Sequence, residues 1–161
     1  MTRLLALQRL SLVAMVMGSF VWLGAVKADV DPAAATFMNL KDIKWKENAN
    51  GSAASFLVSG DPTKEGSLYV QLGKWHPHHN STPHMHPHDR FITVLSGTWW
   101  VGTGANYDMN TTTAMKAGTV VTHYANQLHY DGAKDEEAVL IIVGIGPAAS
   151  TPADGKQMKK E

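Results

Sequence analysis

A chain of 161 residues that is 44% hydrophobic is long enough to bury one sizeable core and short for two domains. Its 14 lysines and arginines balance its 14 aspartates and glutamates, which excludes the strongly basic face that a nucleic-acid partner needs. It has no cysteine, so disulfides, thiolate ligands and thiol nucleophiles are excluded as well.

Residues 1–28 read as a secretory signal peptide. Arg3 and Arg9 give a basic start, Leu10 to Val26 is mostly apolar, and Val26-Lys27-Ala28 fits the small-x-small cleavage rule. The other reading is an uncleaved anchor, because the apolar run sits at the lower limit of length for a membrane span. Cleavage after Ala28 implies a periplasmic or secreted protein without a stable membrane span. It removes three basic residues (Arg3, Arg9 and Lys27) and no acid, leaving 11 basic and 14 acidic residues and a net charge of −3.

Residues 29–36 form a polar leader, and a single domain is expected over 37–147. Phe37 to Trp45 is an edge strand or a short turn. Ala54 to Val58 and Leu68 to Leu72 read as strands, separated by a loop at Ser59-Gly-Asp-Pro-Thr63. A His/Pro-rich connector, Lys74 to Pro83, leads into His84-Met-His86 and a Pro-His-Asp turn. Phe91 to Val101 is a hairpin or one strand bent at Gly97, followed by polar loop from Gly102 to Thr113. Thr119 to His123 and Leu128 to Tyr130 are short strands, and Asp131 to Glu136 is charged and turn-like. Ala138 to Val143, the most apolar run after the leader, is expected as a central buried strand. Residues 148–161 read as a flexible tail. No stretch holds a period of 3.6, so the fold class is all-β, a barrel or a sandwich.

All eight histidines lie between 76 and 129. His84 and His86 are two apart on a strand, so both rings face the same side. Two polar rings aimed into an apolar interior need a partner, and a divalent metal is the usual one. His129, on a distant strand, would complete a three-nitrogen set with open positions, the arrangement of a reactive metal rather than a structural one. His123 ends a strand and is either an acid/base group lining the interior or a packed, hydrogen-bonded histidine. His76, His78 and His79 form an accessory metal patch or a solvated rim loop, and His88 sits exposed in the turn. Of the neighbours Trp99 and Trp100, one faces in and belongs to the core.

These residues resemble the two motifs of the cupin superfamily, single-domain exported cupins in particular. The first motif runs Gly, five residues, His-x-His, three or four residues, Glu, six residues, Gly. It is matched at His84, His86 and Gly97, with His78 in the first Gly slot and Arg90 in the Glu slot. The second runs Gly, five residues, Pro-x-Gly, two residues, His, three residues, Asn. Gly118 and His129 match, while Tyr124, Asn126 and Ala133 replace Pro, Gly and Asn. Ser59-Gly-Asp-Pro, Thr93 to Thr98 and Gly144 to Pro147 are also similar to such proteins. The resemblance implies a small jelly-roll β-barrel with a divalent ion (iron, manganese, zinc, nickel or copper) on His84, His86 and His129. It also implies a small-molecule substrate or ligand, and allows a homodimer through edge strands.

Arg90 is the main departure, because a guanidinium is permanently cationic and cannot replace a carboxylate ligand. Three readings stay open. Arg90 faces the site and grips a substrate carboxylate or enolate; it turns outward to pair with an acid such as Asp89; or it marks a barrel that holds no metal. The function expected is a metal-dependent oxygenase or isomerase with Arg90 and His123 as its catalytic candidates. The rival is a non-catalytic periplasmic module that binds or senses a metal or a small ligand.

Overall fold

The computed structural model describes residues 30–153, so the expected signal peptide lies outside the described residues, as does residue 29 of the leader. The chain divides after Phe37, and all the strands belong to the unit that begins at Met38. Among the described residues eleven strands follow one another: β1 Lys46–Glu47, β2 Ala53–Gly60, β3 Leu68–Trp75, β4 His84–Met85, β5 Arg90–Ser96, β6 Thr98–Thr103, β7 Thr113–Lys116, β8 Val120–His123, β9 His129–Gly132, β10 Ala138–Ile145 and β11 Thr151–Pro152. One sheet has the order β1-β2-β3-β10-β5-β8 and the other β11-β4-β9-β6-β7, with antiparallel pairing throughout. Phe37 to Trp45 contains a single 3-10 turn, Leu40–Asp42, rather than an edge strand.

The core lies between the sheets. On β5 the period of two turns Ile92 and Val94 inward and leaves Phe91 and Leu95 outside. They pack with Leu140 and Ala138 of β10 and with Trp99 and Val101 of β6. Trp99 is fully buried, while its neighbour Trp100 takes Lys134 Nζ over its ring at 3.7 Å. Burying such side chains removes apolar surface from water at roughly 25 cal/mol per Å². The run Ala138 to Val143 is, as expected, central, paired with β3 on one side and β5 on the other.

Phe91 to Val101 is not a hairpin. β5 and β6 lie in different sheets, and the chain turns between them at Gly97, whose φ is +70°. A Cβ at Gly97 would overlap the Glu137 carbonyl, so the corner admits only glycine. The same backbone demand persists at two positions that depart from the motif. His78 and Asn126, which stand in glycine slots, both adopt the left-handed region, with φ of 64° and 58°. Asparagine tolerates this region better than most residues.

Thr113–Lys116 is β7, paired with β6; an exposed edge strand carries no apolar alternation to reveal it. Two expectations are corrected. Asp131 and Gly132, expected in a turn, are buried members of β9. In the expected flexible tail, 148–161, Thr151–Pro152 form β11 against β4 and Ala153 N–H donates to Pro83 O at 3.0 Å, while residues 154–161 lie outside the described residues.

Candidate metal centre

β4 and β9 pair with His84 directly opposite His129, and His86 follows at the end of β4. Ring centroids lie 5.0 Å apart for His84 and His86, 4.5 Å for His84 and His129, and 5.3 Å for His86 and His129. One ligand atom from each comes within 4.8 Å of the others, and all three residues are buried. Among the described residues these three imidazoles are the group that converges as a metal site could. His76 instead bonds Glu47 at 2.9 Å, and His79 Nδ1 donates to the Pro77 carbonyl at 2.8 Å. His88 is half-buried, with Nε2 3.8 Å from Glu65.

The protons on the three rings follow from their partners. Nδ1 of His84, His86 and His129 lies 2.8, 2.8 and 3.0 Å from the carbonyl oxygens of Thr82, Ala149 and Gln127. A carbonyl only accepts, so each Nδ1 carries the hydrogen and each neutral ring keeps its lone pair on Nε2. Nε2 of His86 is buried and meets no donor. Burial first, then the Arg90 charge, pushes the His86 pKa down to about 2, so a proton does not fill that lone pair near neutral pH. His129 is lowered to about 4, again chiefly by burial, with Asp131 opposing. Oriented imidazoles with an orphaned acceptor fit a divalent cation, and a backbone carbonyl on the far nitrogen is the usual outer-shell support of a metal-bound histidine.

Arg90 faces the cluster. It shares the inward side of β5 with Ile92 and Val94 and pairs across to His123 of β8. Its Nη2 lies 3.3 Å from His123 Nδ1 and 3.4 Å from His129 Nε2. Tyr69 hydrogen-bonds the guanidinium, and Asp131 offsets the burial that pushes the Arg90 pKa down. Burial likewise raises the Tyr69 hydroxyl, against the pull of Arg90. Asp89, the outward partner considered from the sequence, instead accepts from Ala125 N–H at 2.7 Å.

His123 is buried beside the ligand set, its ring 3.8 Å from that of His129. Burial, then the His129 and Arg90 charges, lowers its pKa to about 2. Because Nδ1 accepts from Arg90, the proton of the neutral ring sits on Nε2, where it meets no acceptor. Arg90 Nε and Trp99 Nε1 are buried donors in the same condition. The indole of Trp99 stands 5.3 Å from the His123 ring.

A cavity of about 640 Å³ opens onto this centre, lined by His84, His86, Arg90, Ser81 and Asp131 and by apolar Ile92, Trp99, Leu140 and Ile142. Asp131 and Tyr69 were not anticipated from the sequence. The signal for Asp131 was available: it lies two residues beyond His129 on one strand, the same spacing that singled out His84 and His86. Its Oδ1 accepts from Ser81 Oγ at 2.8 Å.

No family model matches the chain, and no curated protein does either. Solved structures are similar to it at low identity. A double-stranded β-helix protein from Klebsiella pneumoniae is 21% identical over 73% of this chain and 96% of that one, with a TM-score of 0.55. The DMSP lyase DddQ from Ruegeria pomeroyi is 14% identical over 76% and 63%, also at 0.55. A protein of unknown function with a cupin-like fold from Ralstonia eutropha is 17% identical over 66% and 63%, at 0.51. Two antiparallel sheets, a corner at Gly97 and these likenesses together give this chain the double-stranded β-helix fold of the cupins, with a buried three-histidine cluster inside it.

Proposed function

We propose that this chain is an exported cupin that holds one divalent metal ion on His84, His86 and His129. We further propose that it acts as a small-molecule enzyme, an oxygenase or isomerase, on an acidic or enolisable substrate. The observation that carries the reading is the convergence of three imidazoles whose Nδ1 protons are each held by a backbone carbonyl, leaving Nε2 as the acceptor of each ring. A bound ion would supply Lewis acidity or a redox centre, and three imidazoles suit iron, manganese, zinc, nickel and copper to different degrees.

The chain's own residues supply the rest. Arg90 brings a fixed positive charge and a planar fork suited to a carboxylate or enolate, and it stabilises negative charge developing there. His123 Nδ1 accepts from Arg90 Nη2 and orients that fork. Ile92, Trp99, Leu140 and Ile142 give the cavity apolar walls, which strengthen each electrostatic contact inside it. That a structure similar in fold is a DMSP lyase supports an enzymatic use of such a barrel. Export rests on the basic start, the apolar run and the Ala28 site of residues 1–28.

The test is elemental analysis of the protein beginning at Asp29, purified without a histidine tag, beside a His84→Ala/His129→Ala variant. About one metal per chain, lost in the variant, together with turnover of acidic substrates, supports the proposal. No metal, and no thermal shift on adding any, sinks it. Metal without turnover of any acidic substrate reassigns the protein as a periplasmic binding module.

A further inference from the structure

The centre combines two complementary deficits. His86 Nε2 is a buried acceptor without a donor, whereas Arg90 Nε, His123 Nε2 and Trp99 Nε1 are buried donors without acceptors. The first calls for a cation and the others for an anion. Charge leads to the same place. A divalent ion on three neutral imidazoles would sit beside the Arg90 guanidinium, and no carboxylate is among its ligands. Asp131 and Glu47 in the same cavity offset only part of that positive charge, and Lys46 and Lys74 line it as well. Arg90 Nη2 also stands 3.4 Å from His129 Nε2, the atom that would ligate the ion, so loading requires this N–H to find another acceptor.

We propose that the centre binds metal and anion cooperatively. A carboxylate from a small organic acid bridges the ion and the Arg90 guanidinium, supplying the negative ligand that a carboxylate side chain at position 90 would otherwise provide. This rests on the reading that His84, His86 and His129 hold a metal. The anion neutralises the repulsion between ion and guanidinium, gives the displaced N–H an acceptor and fills an open coordination position. By linkage, each partner tightens the other by the same factor. The substrate class follows: acids whose carboxylate reaches the metal, and neutral analogues bind poorly even where they fit the cavity.

The experiment is titration of the metal-stripped protein with Co2+ in a non-coordinating buffer, with and without acetate, followed by the visible absorption of the bound cobalt. Acetate should tighten Co2+ binding by about tenfold and change the cobalt spectrum, and Co2+ should tighten acetate binding equally. Arg90→Gln should still bind Co2+ and lose the linkage. Arg90→Glu should bind Co2+ tightly without acetate and show no response to it. Equal Co2+ affinity with and without acetate in the unaltered protein overturns the cooperative proposal and leaves the metal site standing. A linkage that survives in Arg90→Gln also overturns it. Failure to bind Co2+ under either condition overturns the metal reading itself, and with it this one.

Discussion

Arg90 Nη2 stands 3.4 Å from Nε2 of His129, so a fixed positive charge touches an atom that would hold a metal. In water such a contact would be unremarkable, but here the surroundings are buried and the field is strong.

Arg90→Ala should therefore separate substrate binding from metal binding. The variant should bind metal as the unaltered protein does, since all three imidazoles and their backbone partners remain. KM for an acidic substrate should rise about 10- to 100-fold, as expected for losing a charge-assisted hydrogen bond. Steady-state kinetics with metal analysis of the same sample checks it; unchanged kinetics removes this role from Arg90.

The His86 proton is held by the carbonyl of Ala149, beyond the last long strand. Ending the chain at Pro147 removes that carbonyl and β11 together. Metal affinity should fall about 10- to 100-fold, the usual cost of losing an outer-shell partner. Far-UV circular dichroism should stay close to that of the full chain. A competitive metal titration of the two forms decides the matter.

Stability should depend on pH in one direction. His86 and His123 are lowered to about 2 and His129 to about 4, against about 6.5 in an unfolded chain. Below about pH 6.5 the unfolded chain takes up protons that the folded one refuses, so these groups favour unfolding increasingly as pH falls toward 4. Each contributes a slope of at most about 1.4 kcal/mol per pH unit. The Tm of metal-free protein should drop between pH 7.5 and 4.5, and His123→Gln should flatten the curve. A Tm that holds steady over that range contradicts the buried, neutral state of the three rings.

The left-handed positions should divide sharply. Gly97→Ala adds a Cβ at positive φ against the Glu137 carbonyl and should cost more than about 2 kcal/mol. Asn126→Gly should be nearly neutral, while Asn126→Ala, at a φ of 58°, should cost about 1 kcal/mol. Denaturant unfolding of the three variants measures this.

The three histidines were legible because a strand's period of two and the motif spacing point to the same residues. The direction of Arg90 was present in the same period, since it shares parity with Ile92 and Val94, but hydrophobic patterning cannot say where a guanidinium goes. Its contact with His123 depends on the β5–β8 register, a nonlocal property that no local pattern encodes. Asp131 was hidden by composition: Asp-Gly-Ala-Lys-Asp-Glu reads as a turn, and that signal outweighed the alternation continuing from His129. The support from Ala149 runs through a backbone carbonyl, a group every residue carries, so no side chain advertises it.

The facing pair of His84 and His129 also has a kinetic meaning. The two are far apart in the chain and meet only once β4 has found β9, so the loop between them must close before three ligands exist. A metal that needs all three ligands would bind the finished barrel and add its binding free energy to the native state. Refolding rates should be the same with and without Co2+, while unfolding slows in proportion to the affinity, so that the metal acts on how long the fold lasts rather than on how fast it forms.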